Sequence, residues 1–150
     1  MTQELTPLLN RLAQELGLDG LTLDEDGMCM LQGENGMSLA LLAHASGQSM
    51  TLAASIYPVQ DATRAALCEK LLKMNFLLLE TQGSTLSIDE EGQEVVVCRQ
   101  LPISDQEPDD FVEAVLDFLL VSGQLREQLM ALPLTGTGSS DRPAGSWISG

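Results

Sequence analysis

Apolar positions change their spacing along the chain, and each change marks an element. From Leu5, the residues Leu8, Leu9, Leu12 and Leu16 recur at three and four, with Asn10, Arg11, Gln14 and Glu15 between them. This predicts an amphipathic helix over Thr6–Leu16, with Thr6 as cap, Pro7 in its first turn and Gly17 at its end. Between Leu21 and Pro58 the spacing falls to two. Met50, Leu52, Ala54 and Ile56 alternate with Ser49, Thr51, Ala53 and Ser55, and the short runs MCMLQ and MSLALLA precede them. The stretches DEDG, GENG and HASGQ separate these runs and supply Gly or Asn where a tight turn needs positive φ. An antiparallel meander of three or four strands follows from this texture.

From Asp61 the helical period returns and becomes unusually apolar. Ala65, Cys68, Leu72, Asn75 and Leu79 form one stripe; Leu67, Leu71, Met74 and Leu78 form a second beside it. Only Arg64, Glu69, Lys70, Lys73 and Glu80 are left for water, which predicts one long helix buried on two sides. One side is the domain's own sheet and the other a second subunit, with Leu67, Leu71, Met74, Asn75 and Leu78 as candidate dimer residues. After Gly83, the alternation of Leu86 and Ile88, the turn DEEG and the run Val95–Val97 predict a hairpin. Ser104 and Glu107 have capping-box spacing ahead of Pro108 and a last helix. Its apolar set is Phe111, Val112, Val115, Leu116, Phe118 and Leu119, with Gly123 as a possible bend. The segment 133–150 is rich in Gly, Ser, Thr and Pro and reads as a disordered tail carrying Trp147. The elements add up to an α+β domain over 1–132: three helices on a small, mostly antiparallel twisted sheet of about five to six strands, in the order α-β-β-β(-β)-α-β-β-α.

Composition narrows the partners. Seven Lys and Arg against 22 Asp and Glu give a formal net charge of -15 over 150 residues. Such a field repels phosphate backbones and anionic lipid, which argues against nucleic-acid and membrane-surface partners. It favours a partner that is basic or prone to aggregate. The N-terminus carries no basic region ahead of a long apolar core, and no run reaches the roughly 20 apolar residues of a membrane span. Three widely spaced cysteines, Cys29, Cys68 and Cys98, fit free thiols in a reducing compartment.

Candidate chemistry is sparse. His44 is the single histidine and could pair with Cys98 or Cys29, but no nucleophile motif surrounds either thiol. A thiol-dependent enzyme using Cys98 and His44 is therefore the competing class. DEDG and DEEG lack calcium-loop spacing: with Gly27 as the sixth position, Thr22 and Gly33 would stand first and twelfth. No phosphate-binding glycine motif is present, and no metal or cofactor is expected. Asn75 has two readings: its amide satisfies nearby backbone, or it fixes register in an interface. Met28, Met30, Met37 and Met50 cluster in the meander, where flexible thioethers suit varied apolar anchors. Leu9, Leu12, Met28, Met30 and Leu39 are accordingly candidate groove residues for an extended apolar segment, beside an unpaired sheet edge.

The order of elements and the motif LLKMNFLLLETQGSTLSIDEEGQEVVVCRQLPI resemble the CesT/Tir-chaperone family, the class I chaperones of type III secretion. The family pattern falls on Leu71, Leu72, Asn75, Gly83, Leu86, Ile88, Asp89, Gly92, Val95 and Pro102, and the likeness runs from about Glu4 to Leu132. Leu125 departs from it, since members often carry an aromatic residue in the last helix. The resemblance implies a homodimer in the bacterial cytoplasm that holds the N-terminal chaperone-binding segment of an effector extended, and releases it at the secretion ATPase. A non-secretory acidic adaptor of the same fold is the remaining alternative.

Overall fold

The computed structural model describes residues 2–33 and 35–132. The predicted tail, with Trp147, lies outside these residues. The elements run α1 (Thr2–Leu16), β1 (Met28–Gln32), β2 (Ser38–Ala43), β3 (Ser49–Pro58), α2 (Arg64–Met74), β4 (Thr85–Ile88), β5 (Glu94–Pro102) and α3 (Pro108–Met130), with short 3-10 turns at Asp61–Thr63 and Phe76–Leu78. Five strands form one antiparallel sheet in the order β1-β2-β3-β5-β4. The fold is α+β with three helices.

The alternation read in β3 is realised: Met50, Leu52, Ala54 and Ile56 are buried. Register carries the same side across the sheet, pairing Ala54 with Leu39 and Val97, Leu52 with Leu41, and Met50 with Leu101. A bulge between Ser55 and Tyr57 gives β3 one extra residue opposite β5, keeping Ile56 inward. Leu8 and Leu12 of α1, and Phe111, Val115, Phe118, Leu125 and Leu129 of α3, close over this apolar side. The opposite side carries Met30, Ala40, Thr51, Ala53, Val96 and Cys98, half-buried or exposed. An ion pair of Arg11 with Asp109 at 2.8 Å joins α1 to α3.

Three boundaries differ from the sequence reading. α1 starts at Thr2, so Pro7 lies inside it rather than at its first turn. Burial of Leu5 with Leu8 and Leu9 extends the packed stripe backwards and outweighs the local penalty of proline. The long helix after Asp61 stops at Met74, because Leu77 and Leu78 both take positive φ, 55° and 56°. The capping box at Ser104 does not form: Glu107 itself is the N-cap of α3, with no side-chain cap bond. α3 runs on through Gly123, and Leu116, expected inside, is 38% exposed.

Candidate interaction surfaces

The two stripes of α2 part company in three dimensions. Leu67, Leu71 and Met74 are 0%, 3% and 1% exposed within the single subunit. They fill the core beside β4, so these three offer no side-chain surface to another chain. The outward stripe continues past the helix: Leu72, Phe76, Leu77 and Leu79 are each about two-thirds or more exposed, and Leu78 is partly so. A regular helix presents one side chain per turn to a given side; the break at Asn75 lets several neighbours crowd outward. Each left-handed leucine costs roughly 1–2 kcal/mol, set against backbone bonds from the Leu78 N–H to Asn75 and from the Gly83 N–H to Leu78. Periodicity revealed both stripes but not which one faces home. The charged neighbours Glu69, Lys73 and Glu80, resembling a polar rim, were the available sign that the Leu72–Leu79 side looks outward.

Asn75 resolves into its first reading. Its Nδ2 donates to the Leu86 carbonyl at 2.9 Å and its Oδ1 accepts from the Leu86 N–H at 2.8 Å. The carboxamide thus stands where the next strand's peptide would stand and closes the outer edge of β4 at Leu86. The adjoining turn is fixed from within. Buried Thr81 donates to the Ser84 carbonyl, and Arg99 donates to Ser84 Oγ at 2.9 Å and to Asp117 at 2.9 Å.

The other edge is only half closed. Asp24 turns back on Met28: its N–H donates to the Met28 carbonyl at 2.8 Å, and its Oδ1 accepts from the Met28 N–H at 2.9 Å. Met28 therefore directs its backbone away from β2, and a period of two directs Met30 and Gln32 the same way. Gly27 and Gly33, in the intervening phase, bond inward to Ala43 and Met37. Among the described residues, an open run of donors and acceptors remains at Met30 and Gln32. Beside it lies a groove of about 380 Å³, lined by Leu16 at the end of α1, Leu18 just after it, Leu31, Met37 and Leu39 of the meander, and Leu119 of α3. A second groove of about 270 Å³ runs between Leu5 and Leu9 of α1 and Leu21 and Leu23.

The candidate client residues are thus distributed. Leu39 and Leu9 line separate grooves while being 5% exposed each; Leu12 is wholly buried; Met28 is half-buried and Met30 is 56% exposed on the side of the sheet away from the helices. Leu16, Leu18, Leu31 and Leu119 were not singled out as groove residues in the sequence, because a groove between elements distant in sequence leaves no periodic signal.

The thiol-enzyme pairing is not assembled. His44 Nε2 is bound to Thr51 Oγ1 at 2.7 Å, and Cys98 has Ser87 as its side-chain partner. Burial pushes the Cys98 thiol up, and burial with the charge of Asp24 does the same for Cys29, away from the thiolate a nucleophile needs. Among the described residues, no helix is long and apolar enough to cross a membrane.

A small sheet with one open edge, apolar grooves and an exposed leucine cluster defines a protein-binding module. The chain belongs to the Tir chaperone protein (CesT) family, which matches residues 7–126. Among curated protein sequences none matches it. Solved structures share the fold: the ExsC-ExsE complex (22% identity, TM-score 0.73, covering 90% of this chain and 96% of that one) and the HopA1-SchA chaperone-effector complex (18%, 0.63, 85% and 95%). A third is the heterodimeric ExoU-SpcU complex from the type III secretion system of Pseudomonas aeruginosa (19%, 0.61, 85% and 96%).

Proposed function

We propose that this protein is a class I type III secretion chaperone, which holds the N-terminal chaperone-binding segment of an effector extended and soluble in the bacterial cytoplasm. The open edge of β1 at Met30 and Gln32, running beside the groove of Leu18, Leu31 and Leu119, is the observation that carries this reading. An extended client gains main-chain hydrogen bonds from the edge and buries its apolar side chains in the groove. Ordering a disordered segment costs free energy, so apolar anchors are needed as well as hydrogen bonds. The acidic surface keeps the complex soluble. No catalytic step or cofactor is assigned.

Two copies join in this reading through Leu72, Phe76, Leu77 and Leu79, with Leu78 at the margin. The patch is too apolar and too concentrated for a lone soluble domain, and a twofold contact would cover it with its own equivalent. Leu67, Leu71 and Met74 support the patch from inside the subunit.

The test is client binding by a co-purified effector segment, followed by titration calorimetry. Leu18→Asp places a charge in the groove at a residue 42% exposed, so the fold should tolerate it. Affinity should fall by about tenfold or more. Unchanged affinity would remove the groove from the reading. Leu72→Asp should give a folded monomer by light scattering at micromolar concentration; a wild-type chain that is itself monomeric there would overturn the dimer.

A further inference from the structure

We infer that the outer face of α3 is a second docking surface, built for a basic amphipathic helix rather than for an extended client. Leu116 and Leu120 lie one turn apart and are 38% and 61% exposed. With Arg99, Asp110, Glu113 and Asp117 they line a shallow groove of about 630 Å³. Arg99 is the only cation lining it and is already committed: it pairs with Asp117 at 2.9 Å and lies over the Phe118 ring at 5.5 Å. Among the described residues, Asp110 and Glu113 have no ion pair, whereas neighbouring Asp109 is held by Arg11. The groove therefore offers two apolar knobs beside two unmatched carboxylates.

This pattern selects its occupant. Leucines one turn apart, roughly 6 Å along the axis, fit between side chains of a second helix at the same spacing. The face is a helix surface whose backbone is internally bonded, so a client strand cannot add to it. A second copy is disfavoured as well. A twofold contact here would bring up the same acidic face, whose one lining cation, Arg99, is already paired with Asp117, and so would offer Asp110 and Glu113 no counter-charge. What fits is a separate protein presenting a helix with leucines flanked by Lys or Arg. Leu119, on the other flank of α3, lines the client groove, so both partners could be held at once with α3 as the wall between them.

The probe is a fluorescent Leu/Lys amphipathic helical peptide of roughly five turns, about 18 residues, with a scrambled peptide of equal composition as its control. Anisotropy should show the amphipathic peptide binding at least about tenfold tighter than the scrambled one. Leu116→Ser with Leu120→Ser, which leaves net charge unchanged, should remove that advantage. Asp110→Lys with Glu113→Lys should weaken binding by about tenfold, while the equal charge change Glu90→Lys with Glu91→Lys, on the β4–β5 turn, should cost less than about twofold. Equal binding of both peptides, or equal loss in the two charge variants, would reduce the effect to general attraction and overturn the proposal. So would conversion of a wild-type dimer to monomer by the two serine substitutions, which would make this face a self-contact.

Discussion

The two edges of the sheet meet the same hazard in different ways. An edge strand presents unpaired peptide groups to any passing chain, and proteins blunt that exposure locally. At β4 the blunting is done by Asn75, whose single carboxamide occupies both groups of Leu86. At β1 it is done by Asp24, but only as far as Met28; Met30 and Gln32 stay open. One edge is closed where α2 ends, and the other is left open where an apolar groove begins. A binding edge is therefore defined as much by the side chains that stop pairing elsewhere as by those that permit it.

Removing the stop at β4 should have the largest effect. Asn75→Leu strands the N–H and carbonyl of Leu86, at a cost of about 2 kcal/mol in a partly wet site. Urea denaturation should show a lower midpoint, and the variant should aggregate faster through its newly opened edge. An unchanged midpoint would mean that water replaces the amide without loss, and the contrast between the edges would collapse.

The second test closes β1 without touching its ladder to β2. Met30→Pro deletes an N–H that faces outward, a position where an edge strand accepts proline. Client affinity should fall by about tenfold while stability changes by less than about 1 kcal/mol. Full affinity in a stably folded variant would show that the client does not pair with β1.

The smallest expected effect concerns how Asp24 acts on its neighbour. Burial first, and the charge of Asp24 second, hold the Cys29 thiol above its ordinary range, with a backbone bond at Thr22 pulling slightly the other way. Because folding raises this value, the native chain keeps the proton more tightly than the unfolded one. Its stability should fall as pH rises through the ordinary thiol range. Asp24→Asn removes the second cause only. The thiolate fraction should rise, and alkylation of Cys29 near pH 8.5 should quicken by less than about threefold. Cys98, raised by burial with the Ser87 hydroxyl opposing, is the internal control. Equal rates before and after the substitution would show that Asp24 holds this edge by hydrogen bonding alone.

Much of the fold was legible because local signals agreed. Met50 to Ile56 alternate strictly, Gly17 ends a five-leucine stripe, and DEEG sits between two apolar runs. Pairing over distance was not legible: nothing near Val97 says that its strand enters between β3 and β4. The break after Met74 was hidden for a related reason. Every residue from Arg64 to Leu79 except Asn75 suits a helix, and Asn75 ends it through a bond to Leu86, eleven residues on. Two-sided apolarity matches a stripe that is buried at Leu67, Leu71 and Met74 and one that is exposed from Leu72 to Leu79, but periodicity does not tell which stripe is which. The groove at Leu18, Leu31 and Leu119 gathers three elements, each of which looks like ordinary core or loop when read alone.

The paired left-handed leucines bear on how the molecule behaves at different concentrations. A subunit alone carries the strain of Leu77 and Leu78 together with a cluster of wet apolar side chains. If copies join through this cluster, association relieves the wetting, and the native state gains stability by mass action. The melting temperature then climbs with protein concentration, and dilution alone lowers it. Supply of the chaperone would set how firmly each molecule is folded as well as how many are present.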